Sequence, residues 1–449
     1  MFTRKKYLLF SFVFIISLFS LLKVVLAEEA ISNKELFQRI NQLEQEVSQA
    51  NKKIAELEKK LSNQEKSVQL KDATLDDLNQ HIDSHLLHKI KGYQLLEGLR
   101  MGIGATSVLQ SVANANGEDL ASPPESVTDL SYSLDLEFEK EFNQNSKAFL
   151  HLETGDGPGV EDELQVFSNV NRDADDSDNS LSVTEIWYQY CFKTQPLVLT
   201  AGKIDPTVYI DTNQYANDET TQFLGHIFRN SPTIEFPDNS AGIRFGLTIG
   251  DFSNVQLLAL DANSDWEDAG DDLFIASQIS FKAKLFQREG NYRLIGWVDN
   301  RNHIKWDDST ADKKEGYGFG LSFDQALSEN LSLFGRYGWQ NPKVYLEGEN
   351  FSLKQAYSLG LELKGSLWGR DDDRLGLAFG QIFPSDKYQE TNSVQADSEK
   401  HLEVYYSFKV NDHLTVSPDL QIIWEPYGGD ASGGDDTIIV GGLRSQVDF

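Results

Sequence analysis

One cysteine, Cys191, among 449 residues leaves no partner for an intramolecular disulfide. Such a chain suits an exported protein that relies on its hydrogen-bonded ladders instead. Basic residues are also scarce: 40 Lys and Arg stand against 70 Asp and Glu. That excess repels phosphate backbones and argues against nucleic acid as a partner. Beyond the amino terminus no apolar run approaches the length of a membrane-spanning helix. Mean hydropathy is −0.41 while aromatics make up 11% of the chain, so neither a helical membrane bundle nor a disordered chain fits. Catalytic patterns are missing too. No nucleophile–base constellation, zinc-ligand spacing or phosphate-binding glycine loop occurs, so neither an enzyme nor a cofactor is expected.

What is present begins with a leader. Arg4-Lys5-Lys6 precede an apolar stretch from Tyr7 to Leu22 and the small-residue end Val25-Leu26-Ala27, which predicts a signal peptide over residues 1–27. A heptad follows within 28–92. Ile40, Val47, Ile54, Leu61, Val68, Leu75 and Ile82 fall at position a, and Leu36, Leu43, Ala50, Leu57, Gln64, Lys71, Leu78 and His85 at position d, where the polar members leave the oligomer number open. Strict 3,4 spacing with polar residues elsewhere predicts an α-helical coiled coil that self-associates through 33–88, as a dimer or a trimer. His81, His85 and His88 share one helical face, which suits a metal or simply a polar helix end, and no metal is assigned there. Gly92 ends the helix.

From about residue 95 the period changes to two. Leu130, Tyr132, Leu134, Leu136 and Phe138 alternate with Ser131, Ser133, Asp135, Glu137 and Glu139. Leu402, Val404, Tyr406 and Phe408 alternate with Glu403, Tyr405, Ser407 and Lys409. Charges on one face of strand after strand are hard to bury in a soluble core, but are expected where that face meets a watery channel. Roughly sixteen such segments can be counted, with tight connectors alternating with long ones such as 155–180 and 204–238. The last segment ends flush on Phe449, with Val447, Ser445, Leu443 and Gly441 on one face and Asp448, Gln446 and Arg444 on the other. The expected fold is an all-β transmembrane barrel over 93–449, with about 16 antiparallel strands.

Specific stretches then carry a family resemblance: Gly202-Lys203-Ile204-Asp205-Pro206-Thr207, Asp211-Thr212-Asn213, Ala216-Asn217-Asp218-Glu219 and Gln222-Phe223-Leu224. Pro232-Thr233-Ile234-Glu235-Phe236-Pro237-Asp238-Asn239, Gly242-Ile243-Arg244-Phe245-Gly246 and Ser417-Pro418-Asp419-Leu420-Gln421 continue it. Together they resemble the carbohydrate-selective porins of the OprB type. The resemblance implies facilitated diffusion of mono- or oligosaccharides through a sixteen-stranded outer-membrane barrel, with its closing strand read by the barrel-assembly machinery. Similar porins line their constriction with arginine and acidic residues, which the resemblance carries onto Arg244 first.

The connector 204–238 holds Phe223, Ile227, Phe228, Ile234 and Phe236, too many apolar groups for a solvated loop, so it is expected to fold into the barrel mouth. Glu235 and Asp238 belong to it. Strand alternation adds Arg100, Glu137, Glu153, Glu185, Arg244, Arg293, Arg336, Glu362 and Asp419 as candidate lumenal charges. Any of these serves equally as a solute contact or as an ion pair holding the wall. Asp173, Asp175, Asp176 and Asp178 crowd loop 155–180 without the spacing of a calcium-binding loop. Expected partners are carbohydrate solutes, outer-membrane lipid and the assembly machinery, with the coiled coil in the periplasm and in reach of the cell wall. The alternatives are a general or anion-selective porin, or an envelope tether anchored by its barrel.

Overall fold

A computed structural model describes residues 98–117, 126–174, 179–267, 270–285, 287–308, 314–429 and 437–449. The expected leader, the coiled coil and three of the four clustered aspartates of loop 155–180 lie outside the described residues.

Two-residue alternation forms β1 (Leu99–Ala113), β2 (Val127–Asn143), β3 (Ser146–Asp156), β4 (Ser182–Cys191), β5 (Leu197–Ile204) and β6 (Ser240–Ile249). β7 (Ser253–Asp261), β8 (Leu273–Leu285), β9 (Arg288–Lys305), β10 (Lys314–Ala326) and β11 (Leu331–Gln340) follow. The short β12 (Val344–Leu346) pairs with the far end of β9. β13 (Leu353–Lys364), β14 (Arg374–Pro384), β15 (Glu399–Lys409), β16 (Leu414–Trp424) and β17 (Thr437–Asp448) complete the set. Each long strand pairs antiparallel with its sequence neighbour, and β17 returns to β1 with Val108 opposite Arg444. With β12 set aside, sixteen strands close the barrel, so no long edge is left unpaired.

The two faces then separate by chemistry. Leu130, Leu294 and Leu359 point outward and are 57%, 50% and 54% exposed, as a lipid-facing surface requires. Aromatic residues gather near both strand ends. Tyr190 packs edge-on against Phe192 beside one tight turn, and Trp339 stacks on Phe319 toward the long-loop end. Such belts sit at the membrane–water interfaces. No helix among the described residues is long and apolar enough to cross a membrane. The strands provide the crossing.

Buried apolar residues lie inside the barrel, where loops fold inward onto the wall. Phe223, Ile227 and Phe228 of the inner loop (205–239) pack on Phe334, Ala356, Ala378, Ile382 and Tyr405. The ring of Phe223 meets Tyr405 edge-on at 4.8 Å. Ile210 and Ile234 cover Leu258, Leu260, Phe274, Ile295 and Trp297. A second inward segment, 157–174, sets Val160 and Val170 against Val112, Ile423, Ile438 and Val440. The alternation of β17 accordingly drifts from Arg444 and Gln446 to Val440 and Ile438, because the upper part of its inner face meets a loop instead of water. Glycines make room for this close approach: a Cβ on Gly380 would stand 2.4 Å from Ile227 Cδ1, and one on Gly338 2.0 Å from Thr233 Oγ1.

Candidate functional site

Polar groups from the wall hold the inner loop in place. Arg336 is 4% exposed and reaches Asp211 Oδ1 at 3.1 Å, while also donating to the carbonyls of Phe228 at 2.7 Å and Ala216 at 2.7 Å. Glu403, fully buried, accepts the backbone N–H groups of Leu224 at 2.7 Å and Gly225 at 2.9 Å. These bonds fix α1 (His226–Arg229), a single helical turn inside the barrel. Arg444 adds bonds to the carbonyls of Glu219 at 2.6 Å and Gln222 at 2.8 Å. A carboxylate or guanidinium satisfied by two or more fixed partners tolerates burial that an isolated charge would not.

The two inward loops leave one side of the lumen open. A cavity of about 1010 Å³ runs along β17, β1, β2, β3, β4 and β5, faced by Arg172–Ala174 of one loop and residues between Asn217 and Asn239 of the other. Its size matches the upper end of small-molecule sites, about 300–1,000 Å³. Wall carboxylates are Asp135, Glu137, Glu153, Glu185 and Asp448, and the loops add Asp173, Asp205, Asp218, Glu219, Glu235 and Asp238. Against these eleven stand three bases, Arg172, Lys203 and Arg229.

At the border of this cavity, Arg229 Nε bonds Glu219 Oε2 at 2.6 Å and its Nη1 bonds Asn230 Oδ1 at 2.6 Å. Arg172 is fixed by its backbone N–H on Leu224 O at 2.9 Å, while its side chain stays exposed. His226 lies near both guanidiniums. Burial pushes its ring down to about 3, and the charges of Arg172 and Arg229 add to that, so it stays neutral. Burial raises the Asp173 carboxyl well above the usual range, helped by Glu219 and Asp135. In the same loop burial lifts Glu161 to about 7, although its Oε1 accepts the N–H groups of Val170 and Asn171. A cavity carrying one fixed and one exposed guanidinium beside a carboxylate can bind a solute rich in hydroxyls from both its donor and acceptor sides.

The sequence candidates divide by position. Glu137, Glu153, Glu185, Glu235 and Asp238 border the cavity. Glu235 also holds His303 Nε2 at 2.8 Å, and Glu185 accepts from Trp187 Nε1 at 3.1 Å. The remaining six do not border it. Arg100 has a 68% exposed side chain at the tight-turn rim, where it pairs with Glu139 and Glu141. Arg244 is 8% exposed, bonds Gln256 Oε1 at 2.7 Å and lies 4.4 Å over the ring of Tyr209. Arg293 pairs with Asp324 at 2.6 Å, Glu362 faces Arg374 at 3.9 Å, and Asp419 accepts from Gln421 at 3.0 Å. Arg336 anchors the inner loop through Asp211 and the two carbonyls. Strand alternation did not single out Arg172, Glu219 and Arg229, which belong to loops. The available signal was a base placed beside the apolar anchors Phe223, Ile227 and Phe228, since a charge there either pairs or faces the pore.

A closed barrel of this strand number, with a loop-narrowed aqueous passage and an apolar girdle, defines an outer-membrane porin. The chain belongs to the OprB family of carbohydrate-selective porins, which it matches over residues 127–449. Its fold is similar to that of Pseudomonas putida OprB, with a TM-score of 0.67 at 16% identity over 80% of this chain and 96% of that one. In sequence it is 25% identical over 223 residues to an uncharacterized protein of Aquifex aeolicus, half of this chain and 58% of that protein. It is also 30% identical over 139 residues to Porin B of Pseudomonas aeruginosa, 27% of this chain and 29% of that protein. The chain thus spans less than two thirds of the length of these two relatives.

Proposed function

We propose that the chain passes mono- or oligosaccharides across the outer membrane by facilitated diffusion through the cavity along β1–β5. The observation that carries this reading is the Arg229–Glu219 pair with Arg172 beside it, set at the edge of that cavity by buried anchors. Selectivity in a pore follows from aperture and from the groups that replace water around the solute. Fixed donors beside an acceptor match the hydroxyl rim of a sugar. Such weak and replaceable contacts allow entry and release, as conduction requires. The reading assigns solute contact to Arg172, Glu219 and Arg229, with Glu137, Glu153, Glu185, Glu235 and Asp238 along the path. An anion-selective pore is disfavoured by the acidic lining.

The test is single-channel conductance in planar bilayers with added sugar. Concentration-dependent block by a neutral hexose supports the reading, and conductance indifferent to sugar at every concentration overturns it. We also propose that residues 33–88 form a periplasmic coiled coil that sets the oligomer and reaches the cell wall, on the strength of the heptad alone. The peptide 33–88 should be helical with concentration-dependent melting, and a monomeric, unfolded peptide removes this part of the reading.

A further inference from the structure

Charge is distributed unevenly inside the barrel. Behind the inner loop three guanidiniums are each matched by a carboxylate: Arg293 with Asp324, Arg301 with Asp299, Arg336 with Asp211. The open passage is unmatched. Glu219 pairs with Arg229, while Asp135 and Glu235 pair only with histidines. Glu137, Asp205, Asp218 and Asp238 have no ion-pairing lysine, arginine or histidine among the described residues. With the most enclosed acids, Glu185 and Asp173, set aside, nine of the eleven cavity carboxylates remain and outnumber the three bases threefold. A narrow cleft of one sign with low-dielectric walls concentrates counter-ions and raises their entry rate by ~10–1,000-fold.

Resting on the diffusion-channel reading above, we propose that this lumen selects cationic over neutral and anionic solutes, and that protonated amino sugars are its favoured sugar class. The hydroxyls of such a solute engage Arg172, Glu219 and Arg229 as those of any sugar do. Its ammonium group answers the acids that lack an ion-pairing base, with Glu137 of the wall and Asp238 of the inner loop as specificity-determining residues. A carboxylated sugar meets repulsion along the same surface.

The experiment uses the full chain in two assays. Reversal potential across a potassium chloride gradient in planar bilayers reads ion preference without any sugar. Swelling of proteoliposomes at about pH 6, where an amine of ordinary basicity keeps its proton, compares a hexose, a hexosamine, its N-acetyl form and a hexuronate. The N-acetyl form keeps the ring and removes the charge. Expected results are a potential of cation-selective sign, and hexosamine entry about tenfold faster than N-acetylhexosamine entry, the low end of such focusing. In the double variant Glu137→Gln/Asp238→Asn the ratio of hexosamine to N-acetylhexosamine entry should fall severalfold, whatever the change in hexose entry.

A potential of zero or anion-selective sign overturns the proposal, as does a hexosamine ratio near one in the natural chain or an unchanged ratio in an assembled double variant. Should the double variant fail to assemble, the natural chain's potential and ratio alone support or overturn it. Exclusion of every sugar together with a cation-selective potential sinks the sugar-channel reading and the amino-sugar assignment, and leaves the ion preference supported.

Discussion

The two sides of the barrel wall face the same lumen and do opposite things. From β7 to β16 the inner surface is small, apolar, ion-paired or hydrogen-bonded, and the inner loop lies on it as on a protein core. From β17 through β1 to β5 the inner surface carries carboxylates and meets water. A loop seated by dispersion and buried hydrogen bonds on one side defines a passage on the other, because close packing on the first side fixes how far the loop reaches into the second. Closing off half the lumen thus creates the site. The wall that never touches the solute sets the size of the passage, and the wall that does sets its charge.

The strongest way to break this division is Arg336→Ala. It strands the buried Asp211 carboxylate and removes the bonds to the carbonyls of Phe228 and Ala216, and loss of one partner of a buried pair costs about 3–5 kcal/mol. Single-channel conductance should rise severalfold and sugar block should vanish as the loop leaves the wall. An unaltered conductance would show that the loop is held elsewhere. Gly380→Leu attacks the same contact sterically, since the new Cβ would stand 2.4 Å from Ile227 Cδ1 and overpacking costs about 1–3 kcal/mol. A noisier open channel is the expected record, and a quiet channel of natural size counts against the close approach.

Arg229→Ala and Arg244→Ala separate the two walls. Both remove one guanidinium from the barrel interior, but only Arg229 borders the passage. Sugar block should weaken by roughly tenfold in the first, the scale of a charge-assisted hydrogen bond of about 1.5–3 kcal/mol. It should change little in the second, where the losses are the bond to Gln256 and the contact with the Tyr209 ring, both away from the passage. Equal effects would place Arg244 functionally at the aperture.

The smallest effect expected is that of pH through His226. Its ring is held at about 3 in place of its ordinary 6.5, so the unfolded loop binds the proton more readily than the seated one. The stabilisation is complete above about 6.5 and is lost progressively as pH falls toward about 3. Channel flickering should grow on acidification over that window, and His226→Gln should show less of this change. The same flicker in both proteins assigns the effect to the carboxylates.

Much of the barrel was legible because alternation is a local signal: Ser131 to Glu139 and Glu403 to Ser407 turn inward as their sequence pattern requires. The same pattern showed which residues face in, but not what covers them. Arg293, Arg336 and Arg244 share inward parity with Glu137 and Glu153, yet the inner loop lies over the first three and leaves the last two wet. That distinction depends on where a loop packs, which no strand records in its own spacing. Apolar content marked 204–238 as an inward loop. Which of its charges anchor and which face the passage depends on partners more than a hundred residues away.

The anchoring bonds also order the assembly of the molecule in time. Leu224 meets Glu403 across 179 residues of chain, Glu219 meets Arg444 across 225, and Ala216 meets Arg336 across 120. Contacts this distant in sequence form late, after the entropy of closing the intervening chain has been overcome. Until β11, β15 and β17 are in place, Phe223, Ile227 and Phe228 have no wall to cover them. A nascent chain carrying these side chains through an aqueous compartment is a client for chaperones. Its permeability should first be high, and should drop to the mature value in a separate, slower step once the last strand zips to the first.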